Sequence, residues 1–551
     1  MDRAGERMSA VTFSTRAAMD RKSARILPQY NSLHHRTWWK FATVAFVALA
    51  LFLTMYTGFL VAIGGTLAFR FVGFPILVMA GVSLWMLPDV DKADNPPFYK
   101  LLTIYMFLMV AWPSYVAIAI PGLPWVTPPR LVLGVLLIAM LTHFPQIAEA
   151  RRKVVGLLGY DPLAFKLYGL FLLMQVVVLP LAPSPIDVFS YEMMQGVLDS
   201  SAMVAAAWCF ADVKKIPRLM RLVVLAGILS MLITVLENYL QRPPWFGYIP
   251  SFFRIDPVLY ETYVSPQARI GDGRYRIRAT FGIVLYYAQY LGLILPPLLY
   301  EMFKSKGWKR VLALALIPLI LQTVWFINAR TATIALLVSL FSFAGLMMVR
   351  QLFFRPRGDG LKPGIMVALV LLGVAMLGGA IATSHRARMY TIGGSQHAGS
   401  NAVRDAQWAG AWRAVGRNPI GVGLGTPLPD VGLANAKGVV IVDSYWINLL
   451  VGVGPLGFIG FMGCLARIAW LGGMTFLRAK DDLEEWGGVL AVSLLNFIIS
   501  AYVISFADNN YLVFTLAVAI LALHRHQAKR IAAEPKAERA LPSPSTALVR
   551  R

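Results

Sequence analysis

Residues 308–349 read WKRVLALALIPLILQTVWFINARTATIALLVSLFSFAGLMMV. Two apolar runs, 308–327 and 330–349, are each close to the roughly 20 residues with which a helix crosses a bilayer. Between them lies only the turn Asn328-Ala329-Arg330-Thr331, in which Arg330 is the sole charge. So short a turn returns the chain antiparallel to itself. The stretch therefore predicts a membrane-spanning helical hairpin with one arginine at its tip.

Working outward, similar runs fall near 41–66, 69–87, 100–120, 129–146, 165–183, 190–210, 217–237, 282–302, 363–383, 445–477, 486–506 and 509–524. The expected fold class is an all-α polytopic membrane protein with about 12–14 transmembrane helices. The segment 190–210 is the weakest, because a central acid such as Glu192 or Asp199 costs about 2.5–3.5 kcal/mol in lipid. Composition agrees: 58% of the 551 residues are hydrophobic and 14% charged, with a mean hydropathy of +0.62, outside the range of soluble domains.

The positive charges set the expected orientation. With both ends of the chain on one side, about 35 of the 51 Lys and Arg fall on that side, as mixed Lys and Arg. The remainder, about 15, are Arg apart from Lys437. By the positive-inside rule both tails are cytoplasmic. Residues 1–38 form a basic cytoplasmic tail, 39–524 the transmembrane domain, and 525–551, rich in charge, Ala and Pro, a disordered tail. The first apolar run is too long for a signal-peptide core and is expected to be retained. A net charge of +23 suggests nucleic acid, but topology accounts for the excess and no nucleic-acid module is visible. Cys209 and Cys464 lie in apolar runs and are expected as small core residues. The histidines lack metal-ligand spacing, so neither a metal nor another cofactor is expected.

Two outward loops, 238–281 and 384–442, are too long to be simple connectors. Their excess of Arg over Lys is chemical, since guanidinium pairs bidentately with phosphate. Arg274, Arg276 and Arg278 alternate before Thr280-Phe281-Gly282, which puts them on one face of an extended segment. Arg330 stands at its hairpin tip. Arg404, Trp408 and Trp412 recur every fourth residue, one stripe of a helix, with Arg413 beside them. That helix should end at Gly416-Arg417-Asn418-Pro419, before the close-packing glycines 421, 423 and 425. Asp443-Ser444-Tyr445 opens the next apolar segment. Asp443 there is expected either to cap the helix or to act as a general base. Glu237-Asn238 and Asp508-Asn509-Asn510 rank below it as caps or acceptor-sugar contacts.

In this order the motifs resemble those of the bacterial O-antigen ligase and polysaccharide polymerase family. That family has an Arg before a Thr-Phe-Gly-like run, an Arg-Ser/Thr turn opening a span, and an Arg-Trp helix followed by Asn-Pro and a Gly-rich stretch. Its ligases carry a His, then Asn, Ser or Gln, nine residues, and Gly-x-x-Gly. Here Ser444, Gly454 and Gly457 keep that spacing, but Asp443 stands in place of the His, which is similar to exopolysaccharide polymerases. The resemblance implies a GT-C-like, metal-independent glycosyltransferase acting on undecaprenyl-pyrophosphate-linked oligosaccharide at the periplasmic face of the inner membrane. Its partners would be the growing polysaccharide acceptor, the lipid bilayer, and chain-length regulator and export proteins. Asp443, Arg330 and Arg278 would be catalytic; Arg404, Arg276, Trp408, Trp412, Arg413, Ser444 and Tyr445 would bind substrate. The alternatives are an O-antigen ligase acting on lipid A core and, in another class, a polysaccharide-precursor flippase. Concentration of these residues at one face favours an enzyme over a transporter.

Overall fold

The computed structural model describes residues 97–119, 125–144, 147–254, 263–266, 270–271, 274–354, 398–434, 440–504 and 509–533, with isolated positions at 379, 382 and 383. The spans expected at 41–66, 69–87 and most of 363–383, and the tail 1–38, lie outside these residues.

The described chain is helical apart from four two-residue strands. In order come α1 (Phe98–Ala111), α2 (Pro128–His143), α3 (Ala148–Leu158), α4 (Pro162–Val178), α5 (Pro185–Cys209) and α6 (Lys215–Leu240). Next are β1 (Ile270–Gly271), β2 (Arg274–Tyr275), α7 (Val284–Lys304), α8 (Trp308–Ile327), α9 (Arg330–Val349) and α10 (Ala398–Arg417). The chain continues through β3 (Leu433–Ala434), β4 (Val440–Ile441), α11 (Tyr445–Gly452), α12 (Gly454–Leu477), α13 (Asp482–Ser500) and α14 (Asn510–Ala533). Both strand pairs are antiparallel, Ile270 facing Tyr275 and Leu433 facing Ile441.

Among the described residues, seven helices are long and apolar enough to cross a membrane: α4, α6, α8, α9, α12, α13 and α14. The protein is a multi-pass membrane protein. The centre is formed by α7, α13 and α14, whose residues are buried nearly all round. Helices α4 and α8 instead leave broad apolar faces uncovered, including Phe165, Leu173, Val176, Val311 and Leu321. Those are the faces that lipid would cover. Polar groups lock the register inside. Asn496 Nδ2 donates to the Gly292 carbonyl at 2.9 Å and to Ser339 Oγ at 2.8 Å, tying α13 to α7 and α9.

Helix ends follow local chemistry. Asp161 caps α4, accepting from Ala164 N at 2.8 Å, with Pro162 at the first position. Asp481 caps α13 in the same way. Cys209 and Cys464 are both buried thiols, as expected.

Three expectations change, and one doubtful segment forms a helix. The span set at 100–120 ends at Ala111, because Pro113 follows and cannot continue a helix. The doubtful 190–210 segment is helical, within α5. The single run 445–477 is two helices, broken at Gly454, which has φ +69°. A Cβ there would meet the Pro419 and Ile420 carbonyl oxygens at 2.5 and 2.6 Å, so only glycine admits the close approach. The tail expected to be disordered from 525 is helical to Ala533. Gln527 donates to the Thr475 carbonyl at 2.9 Å, and Arg530 grips Glu484 at 2.7 and 3.0 Å. Those tertiary partners order a segment whose composition alone reads as disordered.

Candidate functional site

The long loops and the ends of α6, α8 and α13 share one end of the bundle with the starts of α7, α9 and α14, here the loop end. Three pieces of chain build a polar surface there.

The first is the arm before α7. Glu237, in the last turn of α6, is fully buried. Its carboxylate accepts from Tyr275 OH at 2.9 Å, from Arg278 N at 3.4 Å and from Ala279 N at 2.8 Å. Three donors on one carboxylate fix the backbone from 275 to 279. Ile277 is buried, so alternation places Arg276 and Arg278, both half-buried, on the opposite face, as the sequence predicts. Arg278 Nη1 donates to the Gly282 carbonyl at 3.1 Å. Phe281 stacks on Tyr287 with centroids 5.1 Å apart. Arg274 belongs to β2. Sequence reasoning offered Glu237 as a cap or an acceptor-sugar contact and did not foresee that it holds this arm. The missed signal is an acid in the last turn of an apolar helix, where the macrodipole disfavours it, so a specific partner must hold it.

The second piece joins the 328–331 turn to α10. Asn328 closes α8 in the left-handed conformation, φ 49°, a common helix stop. Ala329 is extended, and α9 begins at Arg330. This geometry turns the Arg330 guanidinium onto α10, where Nη2 donates to Asn401 Oδ1 at 3.1 Å. Arg404, one turn further along α10, lies close enough for its charge to act on Arg330. The structure thus docks Arg330 on the helix that carries Arg404, 74 positions on in the sequence.

The stripe continues to Trp408, whose ring stacks on Tyr502 at 5.4 Å and 19° and lies 6.3 Å from Trp412. Arg404 Nε and Trp408 Nε1 are buried and have no hydrogen-bond partner among the described residues. The stripe does not hold to its end. Trp412 is 59% exposed, and Arg413 turns back to the Ala409 carbonyl of its own helix at 3.3 Å. Neither is gathered with Arg330 and Arg404.

The third piece is the stretch 419–445. Its glycines lie against other backbone and side chains. Gly423 N donates to the Gly452 carbonyl at 2.8 Å, and a Cβ on Gly425 would meet the Tyr191 ring at 2.8 Å. The cap of α11 is Ser444, whose hydroxyl accepts from Ile447 N at 3.4 Å, and not Asp443 as expected. Asp443 stands one residue too early. Its backbone N–H instead donates at 3.0 Å to Gln407 Oε1 on α10, one turn from Arg404. Tyr445 is edge-on to Phe461 at 6.0 Å. Asp508 lies outside the described residues. Asn509 Nδ2 is taken up by the Tyr286 carbonyl and Gln289 Oε1, and so supports the core.

The chain matches no protein-family model and no curated protein. What the site can do therefore rests on its own chemistry. It offers guanidinium and indole donors toward an anion or another acceptor, and the backbone of Asp443 is tied to the same helix through Gln407.

Proposed function

We propose that this chain is a GT-C-like membrane glycosyltransferase that polymerises undecaprenyl-pyrophosphate-linked oligosaccharide repeats at the periplasmic face of a bacterial inner membrane. The observation that carries this reading is the docking of Arg330 on α10 at Asn401, one turn from Arg404, with Arg404 Nε and Trp408 Nε1 buried and without a hydrogen-bond partner among the described residues. Two adjacent guanidiniums repel, and a bound diphosphate would offset that cost.

In the reaction the sugar leaves a diphosphate, on which negative charge develops as the glycosidic bond breaks. Arg330 and Arg404 stabilise that charge from fixed positions, so little reorganisation is needed in the transition state. The Arg276–Arg278 arm supplies further positive charge at the same end. Trp408 offers a ring face and an N–H to the sugar. Asp443, anchored through Gln407, orients the acceptor. A flippase would instead place such residues at mid-membrane; here they gather at one end.

The test is polymer formation by purified protein supplied with undecaprenyl-pyrophosphate-linked repeats. Arg330→Lys should lose about as much as Arg330→Ala, on the order of 10²-fold or more, since Lys keeps charge but not the fork. Full activity in the Lys variant, or no polymer from the wild type, rejects the reading. For orientation, single cysteines at Ser251 and Ser400 should react with an impermeant thiol reagent in spheroplasts; protection of both overturns the periplasmic placement.

A further inference from the structure

Beside the arginine site lies a cavity of about 450 Å³ that the sequence did not announce. Its walls come from α4, α5, the 423–428 stretch and the starts of α11 and α14. Its size falls in the usual range for small-molecule sites. Its chemistry is the reverse of the arginine surface. Among the described residues no Lys or Arg lines it; Glu192 and Asp199 do, with the amides of Gln195 and Asn448 and the rings of Tyr191 and Tyr445.

Carboxylates disfavour a diphosphate and suit hydroxyl groups, which donate to them. Aromatic faces beside amides and carboxylates are a surface for neutral sugar rings. One stretch of chain, 442–445, links the two sites. Val442 and Tyr445 line the cavity, while Asp443 between them is tied through Gln407 to α10. Asp443 does not itself line the cavity.

Within the cavity the two acids differ. Asp199 is engaged, accepting from Asn510 Nδ2 at 3.2 Å. Glu192 has the Leu424 backbone N–H within reach of its carboxylate, but its Oε1 is buried with no hydrogen-bond partner among the described residues. Stabilisation of the α5 N-terminus does not account for it. Glu192 stands in the second turn, and Asp187 already occupies the first. The loop is built to reach this point. A Cβ on Gly423 would meet Val188 at 2.7 Å, so only glycine lets the backbone on both sides of Leu424 lie against α5.

We propose that this cavity receives the terminal sugar of the acceptor glycan and that Glu192 takes the proton of its attacking hydroxyl. This rests on the glycosyl-transfer reading above and gives the base role to Glu192 instead of Asp443. The acceptor oxygen bonds to the anomeric carbon of the donor. The bond from that carbon to the diphosphate oxygen breaks, and its electron pair leaves with the diphosphate beside Arg330 and Arg404. The hydroxyl proton passes to Glu192 Oε1. A carboxylate withdrawn from water is a stronger base than one at the surface, which suits this step.

The experiment uses purified full-length protein in nanodiscs, an oligosaccharide of the repeat as acceptor, and the lipid-linked repeat as donor. Acceptor binding is read by saturation-transfer NMR without donor. Wild type should bind, and Gln195→Trp, which fills the cavity, should not. Glu192→Gln should bind the acceptor within a few fold of wild type, yet lose polymerisation by roughly 10²–10⁴-fold together with the acid limb of its pH–rate profile. Asp443→Asn should lose at least about tenfold less than that. Binding that survives Gln195→Trp in a folded variant overturns the cavity assignment. A wild-type rate and pH profile in Glu192→Gln overturns the base. Wild-type protein that binds the glycan in the cavity but makes no polymer sinks the transfer reading, and the base with it, while leaving the binding site standing.

Discussion

The two ends of this helical bundle use arginine in opposite ways. At the end away from the loops, Arg350 is only 4% exposed, and although its Nε, like that of Arg404, has no partner among the described residues, both its terminal nitrogens hold helices together. Its Nη1 donates to Glu485 at 2.8 Å, its Nη2 to the Ala479 carbonyl at 2.9 Å, and its guanidinium lies 4.9 Å from the Phe476 ring centre. Lys304 Nζ and Tyr300 OH complete the ring around Glu485, at 2.7 and 2.9 Å. Nearby, the fully buried Glu484 is held by Arg530 and Gln527. At the loop end the arrangement reverses. Arg404 is set beside a second guanidinium, and Arg330 donates to the neutral Asn401. Cations matched to carboxylates stabilise a fold. Cations placed within reach of each other's charge destabilise it slightly.

The largest effect should come from the matched end. Arg350→Ala leaves Glu485 buried with only Lys304 and the Tyr300 hydroxyl as partners among the described residues, strips its Oε1 of the Arg350 donor and should cost about 3–5 kcal/mol, read by chemical denaturation in detergent. A loss under about 1 kcal/mol, the size of a surface pair, would break the comparison. Next is Glu237→Gln, which weakens three hydrogen bonds to a charged acceptor and should cost about 1.5–3 kcal/mol. Faster amide exchange at Arg278 and Ala279 should accompany it; unchanged protection there would mean the arm holds itself.

A smaller difference sharpens the placement of Asp443. Ser444→Ala should cost about 1 kcal/mol through the lost cap of α11, whereas Asp443→Ala should leave stability unchanged. The reverse result would restore Asp443 as the cap. The smallest effect has the opposite sign. Arg404→Gln removes a like-charge neighbour of Arg330 and should raise stability by a few tenths of a kcal/mol while lowering polymer formation. A clear loss of stability would place Arg404 with the structural arginines and erase the distinction between the ends.

Much of the fold is written locally. The runs around α6, α8, α9, α12 and α13 are long, apolar and bounded by charge or turn residues, so each can be read without knowing its neighbours. The hairpin tip at Arg330, the Arg-Trp stripe of α10 and the outward face of Arg276 and Arg278 follow from periodicity in the same way. Where the reading missed, a partner distant in sequence decided the outcome. Gln527 and Arg530 extend α14 because Thr475 and Glu484 wait for them. The long run from Tyr445 breaks at Gly454 because the backbone of 419–420 packs there.

The sequence by itself thus determined that this chain is a helical membrane protein whose long loops carry arginine in excess over lysine, because the hydrophobic effect and helical periodicity act along a single segment. Only the tertiary structure decided that Arg404 meets Arg330, that Glu237 pins the Arg278 arm and that Glu192 faces a cavity beside the glycine loop. Those pairings depend on hydrogen bonds and charges whose partners lie tens to hundreds of residues away. Such interactions weaken over a few ångströms, and no pattern within one segment records which distant group the fold will bring within reach.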